Sequence, residues 1–250
     1  MPKTIGFKEI RKIQTDQFQF ILEIHHERRS SVRVSLAKEK AIVRIPLVDS
    51  VKKKEEHISW AQDWIAKKLT KDKNLIHRFQ PRNYSDGEEL TIRGKIFTLI
   101  IKENLEQKTA TAMLGGSQIM MVIPGNLRPK LRQKTISTLV SKIMAKIFSR
   151  EISQKVLELN EIYFRQKMGK IQLRNNQTNW GSCNTHGNIS ISSRLLMAPE
   201  FVLNYIIIHE LAHTVHMNHS TAFWKVVAQA MPEYEAAEKW LDQNGDLCKW

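Results

Sequence analysis

The spacing of apolar residues changes character at Pro124-Gly125-Asn126, and no other feature constrains the fold as much. Before this point the apolar residues alternate. Phe18, Phe20, Leu22 and Ile24 form one such series, and Val32, Val34 and Leu36 another. Period two marks a strand with one buried face. Ala41–Ile45 is a third strand, stopped by Pro46, and Ile92–Ile101 a fourth. Ala110–Met113 and Gln118–Ile123 flank Gly115-Gly116, which reads as a hairpin turn. One helix interrupts the strands from about Glu55 to Leu69, with Ile58, Ala61, Trp64, Ile65 and Leu69 at helical spacing. No internal repeat is visible.

After Asn126 the period is helical. Ile136, Leu139, Val140, Ile143, Met144, Ile147 and Phe148 make one stripe, with Lys134, Lys142, Lys146 and Arg150 off it. This predicts a helix from about Arg128 to Glu158, with a break near Ser149. Short strands at Ile171–Leu173 and Ile189–Ile191 follow, then helices over 199–216, 221–231 and 233–243. The expected fold class is α+β: a strand-rich region over 1–125, then a mainly helical part with a small sheet over 126–250.

His209-Glu210-Leu211-Ala212-His213 lies on the first of those last three helices. Positions i and i+4 share a helix face, so the two imidazoles can converge on one zinc ion. Glu210 lies about 100° further round the helix, where its carboxylate reaches a metal-bound water without ligating the metal. Shuffling a chain of this composition yields the pattern about 2% of the time, so context has to support it. It does: Tyr205-Ile206-Ile207-Ile208 leads into the motif as an apolar helical run, and four of the nine histidines fall within 209–219.

A catalytic zinc needs a third protein ligand and an open position. His219 is the choice and His216 the rival. An unbroken helix would carry His219 about 15 Å along the axis from His209, out of reach of a shared ion. The helix must therefore end after His213 and the chain turn back, with Asn218 suited to a left-handed turn. Substrate would bind as an extended peptide along a sheet edge, for which Ile189–Ile191 is the candidate. Tyr234, Arg194 and His216 are the candidates for an oxyanion donor.

Charge is distributed unevenly. Lys and Arg number 39 against 25 Asp and Glu, a net +14. Residues 128–174 hold 12 basic and 3 acidic residues, whereas 201–250 hold 3 and 6. The basic stretch reads as a solvated face; nucleic acid is the alternative partner, which would make the zinc domain a regulatory module or direct it to DNA-bound proteins. No stretch reaches the ~20 apolar residues of a membrane helix, and the first eight residues have no apolar core of a secretory signal. With two cysteines only, Cys183 and Cys248, a disulfide framework is excluded and the cytoplasm is the expected compartment.

The motif His209–His213, with Asn218-His219-Ser220 and Phe223-Trp224, resembles the signature of the YgjP-like zinc metallopeptidases. These are often named SprT-like and are related to the WLM peptidases. Trp180-Gly181-Ser182-Cys183, Asn188-Ile189, Arg194-Leu195 and Pro199 match the same pattern in order and spacing. The resemblance implies a zincin-like domain that hydrolyses peptide bonds. It implies His209, His213 and His219 as zinc ligands and Glu210 as catalytic residue. The chain departs from the pattern at Asn179, where the family usually has Arg, and at Ser192-Ser193, where it usually has Asn-Trp. Trp180–Cys183 reads chiefly as packing of a loop onto the metal helix, since Trp and free Cys are usually well buried.

Overall fold

A computed structural model describes residues 6–14, 19–37, 40–71 and 82–250. Phe18 and residues 1–5 lie outside them. The chain divides into two compact units, Met1–Arg82 and Asn83–Trp250.

The first unit is a four-stranded sheet with one helix. Its strands are β1 (Phe7–Gln14), β2 (Gln19–Glu27), β3 (Arg33–Ala37) and β4 (Lys40–Pro46), in the order β1-β2-β4-β3. The central pair is parallel and the outer pairs antiparallel. Alternation puts Phe20, Leu22 and Ile24 of β2 on one face with Ala41, Val43 and Ile45 of β4. Helix α1 (Val51–Lys71) completes that core with Ile58, Ala61, Ile65 and Leu69. Trp64, expected within this stripe, lies off it and is 37% exposed.

The second unit begins with the same arrangement. Strands β5 (Glu89–Ile92), β6 (Lys95–Asn104), β7 (Thr111–Gly115) and β8 (Gln118–Pro124) are ordered β5-β6-β8-β7, again with a parallel centre and antiparallel flanks. A helix, α2 (Pro129–Tyr163), again follows the fourth strand. The topology of four strands and a helix is thus repeated, although no sequence repeat announces it. The single strand expected over Ile92–Ile101 is instead the β5–β6 hairpin. Its turn is Arg93-Gly94, both at positive φ (49° and 74°).

Helix α2 has 35 residues, about 52 Å at 1.5 Å per residue, and has no break at Ser149. Ile136, Val140, Met144, Phe148, Ile152 and Val156 are all buried along it, while Lys134, Lys142, Lys146 and Arg150 are exposed. It packs on β7 and β8 and also on β9 and the helix that carries His209. The boundary expected at 125/126 therefore falls inside the second unit. The period changes there because a strand hands over to the helix that covers its own sheet.

After α2, strands β9 (Ile171–Arg174), β10 (Gly181–Cys183) and β11 (Ile189–Ser192) form a sheet ordered β10-β11-β9. A short 3-10 helix (Ser193–Met197) leads to α3 (Glu200–Ala212), α4 (Thr221–Ala230) and α5 (Tyr234–Asn244). The architecture is α+β, as expected. No helix among the described residues is long and apolar enough to cross a membrane.

Candidate metal centre and active site

Helix α3 is almost wholly buried: Val202, Leu203, Tyr205, Ile206, Ile207, Ile208, Leu211 and Ala212 all pack inward, and Glu210 goes in with them. The helix stops at Ala212. Thr214 N–H donates to the Leu211 carbonyl and Val215 N–H to the Ala212 carbonyl, tightening the last turn, and the Thr214 hydroxyl donates to Leu211 as well. The chain then returns along the helix. Asn218 does not adopt the left-handed conformation expected of it; among the described non-glycine residues only Arg93 and Arg165 do. The 3-10 hydrogen bonds turn the chain instead.

Ser220 caps α4, its hydroxyl accepting the Phe223 N–H. This fixes His219 at the mouth of the turn, where its Nε2 lies 3.1 Å from Nε2 of His209. Donor atoms of His209, His213 and His219 all fall within 4.8 Å of one another. The Phe223 ring lies beneath all three, with centroids 5.0, 4.6 and 4.8 Å away. Trp224 stacks on His219 at 5.9 Å and on Tyr234 at 5.3 Å.

Electrostatics favour the neutral form of His209 and His213. Burial, then the neighbouring histidines, pushes His209 down to about 4. Burial also lowers His213. His213 Nδ1 lies 3.1 Å from the His216 carbonyl, which only accepts, so Nδ1 carries the proton and Nε2 keeps its lone pair. His216 thus serves the centre through its backbone, and its ring is not part of the cluster.

These donors fit zinc. Tetrahedral ligands at 2.0–2.1 Å from zinc lie about 3.3 Å apart, close to the His209–His219 separation. His209 Nδ1 and Nε2 also differ in kind: Nδ1 is buried with no hydrogen-bond partner among the described residues, while Nε2 meets His219.

Glu210 is 5% exposed, and burial pushes its carboxyl up to about 8. A cation beside it would draw that value down again. Strand β10 runs against this carboxyl. It is the edge of its sheet, and β11, the expected edge, is the central strand, parallel to β9 and antiparallel to β10. The sequence could not distinguish them, because β11 carries the apolar alternation and β10 none.

Arg194 is committed elsewhere. Its guanidinium stacks on Trp180 at 3.9 Å and donates to the carbonyls of Cys248, Gln177 and Gly245. These contacts tie the loop before β10 to the C-terminal segment. Tyr234 stacks between Trp224 and Tyr205. In the basic stretch Arg132 pairs with Glu103 and Lys155 with Glu200, while Lys134, Lys142, Lys146 and Arg150 are exposed along α2.

A buried glutamate on a helix backed by a small sheet, beside three clustered histidines, has the make-up of a metal-dependent hydrolase centre. The family model of the YgjP-like metallopeptidase domain matches residues 28–244, and the chain belongs to that family: it is a metallopeptidase, as the sequence resemblance implied. Two solved structures are similar over the smaller part of the chain. The metallopeptidase zymogen abylysin of Pyrococcus abyssi is 24% identical, with a TM-score of 0.34, over 36% of this chain and 90% of that one. The zymogen jannalysin of Methanocaldococcus jannaschii is 20% identical, with a TM-score of 0.33, over 37% and 94%. No curated protein matches the chain.

Proposed function

We propose that the protein is a zinc-dependent peptidase in which His209, His213 and His219 hold the metal and Glu210 is the general base. The observation that carries this reading is the convergence of three imidazole donors within 4.8 Å, one residue along the helix from a buried carboxyl. An all-imidazole set suits zinc, and three protein ligands leave a position open. Zinc at this position supplies a Lewis acid that polarises a carbonyl and acidifies water.

The chain's own residues do the rest. Glu210 takes the proton of the attacking water and passes it to the leaving amine. Its burial keeps bulk water from competing for that proton. Phe223 and Trp224 hold the imidazoles by packing. An extended peptide or protein segment adds to β10, the free edge of its sheet, through main-chain hydrogen bonds. Both cysteines are free, which suits a reducing compartment, and we place the protein in the cytoplasm.

The test is metal content beside turnover. Purified protein should hold one zinc per chain and hydrolyse an unfolded protein such as casein. A chelator should abolish turnover and added zinc restore it. Turnover that survives complete zinc removal would rule the reading out.

A further inference from the structure

The glycine of the run Trp180-Gly181-Ser182-Cys183 has an unusual environment. A Cβ built on Gly181 would lie 2.4 Å from Glu210 Oε1, 2.6 Å from Cγ and 2.8 Å from Cδ. All three fall inside van der Waals contact, and all three belong to one side chain. The φ of Gly181 is not in the left-handed region, so backbone freedom does not explain the residue. Close approach does.

Neither partner has room to retreat. On one side, Gly181 pairs with Ile191 in the β10–β11 ladder, and Ser192 N–H donates to the Trp180 carbonyl at 2.8 Å. Asn179 Nδ2 donates to the Gly181 carbonyl, also at 2.8 Å. Trp180 is held between the Arg194 guanidinium, 3.9 Å from its ring, and Gly245, where a Cβ would meet the indole at 2.8 Å. On the other side, Glu210 projects from a helix on which Ile206, Ile207, Ile208, Leu211 and Ala212 are all buried.

We propose that Gly181 is a positioning residue of the peptidase reaction: its missing side chain gives the Glu210 carboxyl its place against the edge strand, and Trp180 with Arg194 fixes the strand at that distance. The inference rests on Glu210 being the base. A shift of about 1 Å in a reacting group can cost 10²-fold in rate, and a methyl group at 181 demands at least a shift of that order.

The test is a double-mutant cycle between positions 181 and 210, read in two ways. Gly181→Ala should retain zinc, keep KM within about threefold, and lower kcat on the order of 10²-fold. A kcat equal to that of the wild type would overturn the proposal. The second reading needs no metal and no activity. In metal-free protein, Gly181→Ala should lower the unfolding midpoint by about 3–10 °C through overpacking. In a Glu210→Ala background, where the obstructing side chain is gone, the same substitution should shift it by less than about 2 °C. Equal shifts in both backgrounds would show that Glu210 is not what the methyl meets. If Gly181→Ala alone fails to fold, the double variant Gly181→Ala/Glu210→Ala must fold, and its failure would overturn the proposal too. Glu210→Gln keeps the two readings apart: full activity there removes the base assignment, while the stability cycle still judges the contact.

Discussion

Nε2 of His219 lies 3.1 Å from Nε2 of His209, although the two residues are ten positions apart and only one of them is on α3. The separation depends on the helix ending at Ala212 and on the Ser220 cap that starts α4. His219→Ala should lower zinc affinity by at least about 100-fold, beyond the 10–100-fold typical of an outer-shell partner. His216→Ala should change it by less than about threefold, because the backbone carbonyl that holds His213 Nδ1 is retained. Competition with a chromogenic chelator ranks the two. The opposite ranking would mean that the third ligand is His216.

Glu210→Gln keeps the shape of the side chain and removes its basicity. Zinc content should be unchanged, and kcat should fall by about 10²–10⁴-fold, the range for a lost general base. Stopped-time hydrolysis of a labelled unfolded protein, with zinc measured on the same sample, is sufficient. Undiminished turnover with zinc bound would contradict the assignment.

Phe223 is fully buried and touches all three imidazoles. Phe223→Ala should cost about 3–5 kcal/mol in stability, as large-to-small substitutions of buried aromatics do. It should weaken zinc binding as well, because the rings lose the surface that orients them. Denaturant unfolding of metal-free and zinc-loaded protein separates the two effects. A variant as stable as the wild type would show that the ring is not a packing element of the centre.

In the first unit the Glu23 carboxyl bonds to Lys40 Nζ and lies 2.8 Å from His25 Nε2. Lys40, then His25, brings it from 4.5 to about 2. A depressed carboxyl contributes stability above its unfolded value, and that contribution is lost as pH falls. Its share should therefore be complete above about pH 4.5 and vanish towards pH 2. Glu23→Gln should be less stable than the wild type at neutral pH and show a shallower loss between those limits. Denaturation midpoints measured at several pH values test this; parallel curves would count against it.

What the sequence disclosed, and what it hid, follows from which contacts leave a pattern in it. His209, Glu210 and His213 are legible because one helix sets their geometry, and His219 because helix length alone forbids a continuous path. Strands β2, β4 and β8 are legible because each buries one face. Strand β1 is not: its apolar residues Phe7, Ile10 and Ile13 fall every three positions, and Ile10 is 70% exposed. The β5–β6 turn is masked because Arg93, not a glycine, opens it at φ 49°. Gly181 is illegible for another reason. A glycine in a strand has many possible causes, and the one operating here, the Glu210 carboxyl, lies 29 positions away.

Helix α2 joins the β5–β8 sheet and the histidine-bearing helix in one core, and this limits how the protein can be dissected. A fragment beginning at 126, where the sequence pattern invites a cut, would keep the helix and lose the β5–β8 sheet that packs on it. Apolar residues of α2, among them Phe148, whose ring meets Phe97 of that sheet at 6.3 Å, would then face water as a strip. Such strips recruit partners or aggregate. The smallest excisable peptidase should accordingly start near Asn83, carrying a sheet that contributes no residue to the histidine cluster.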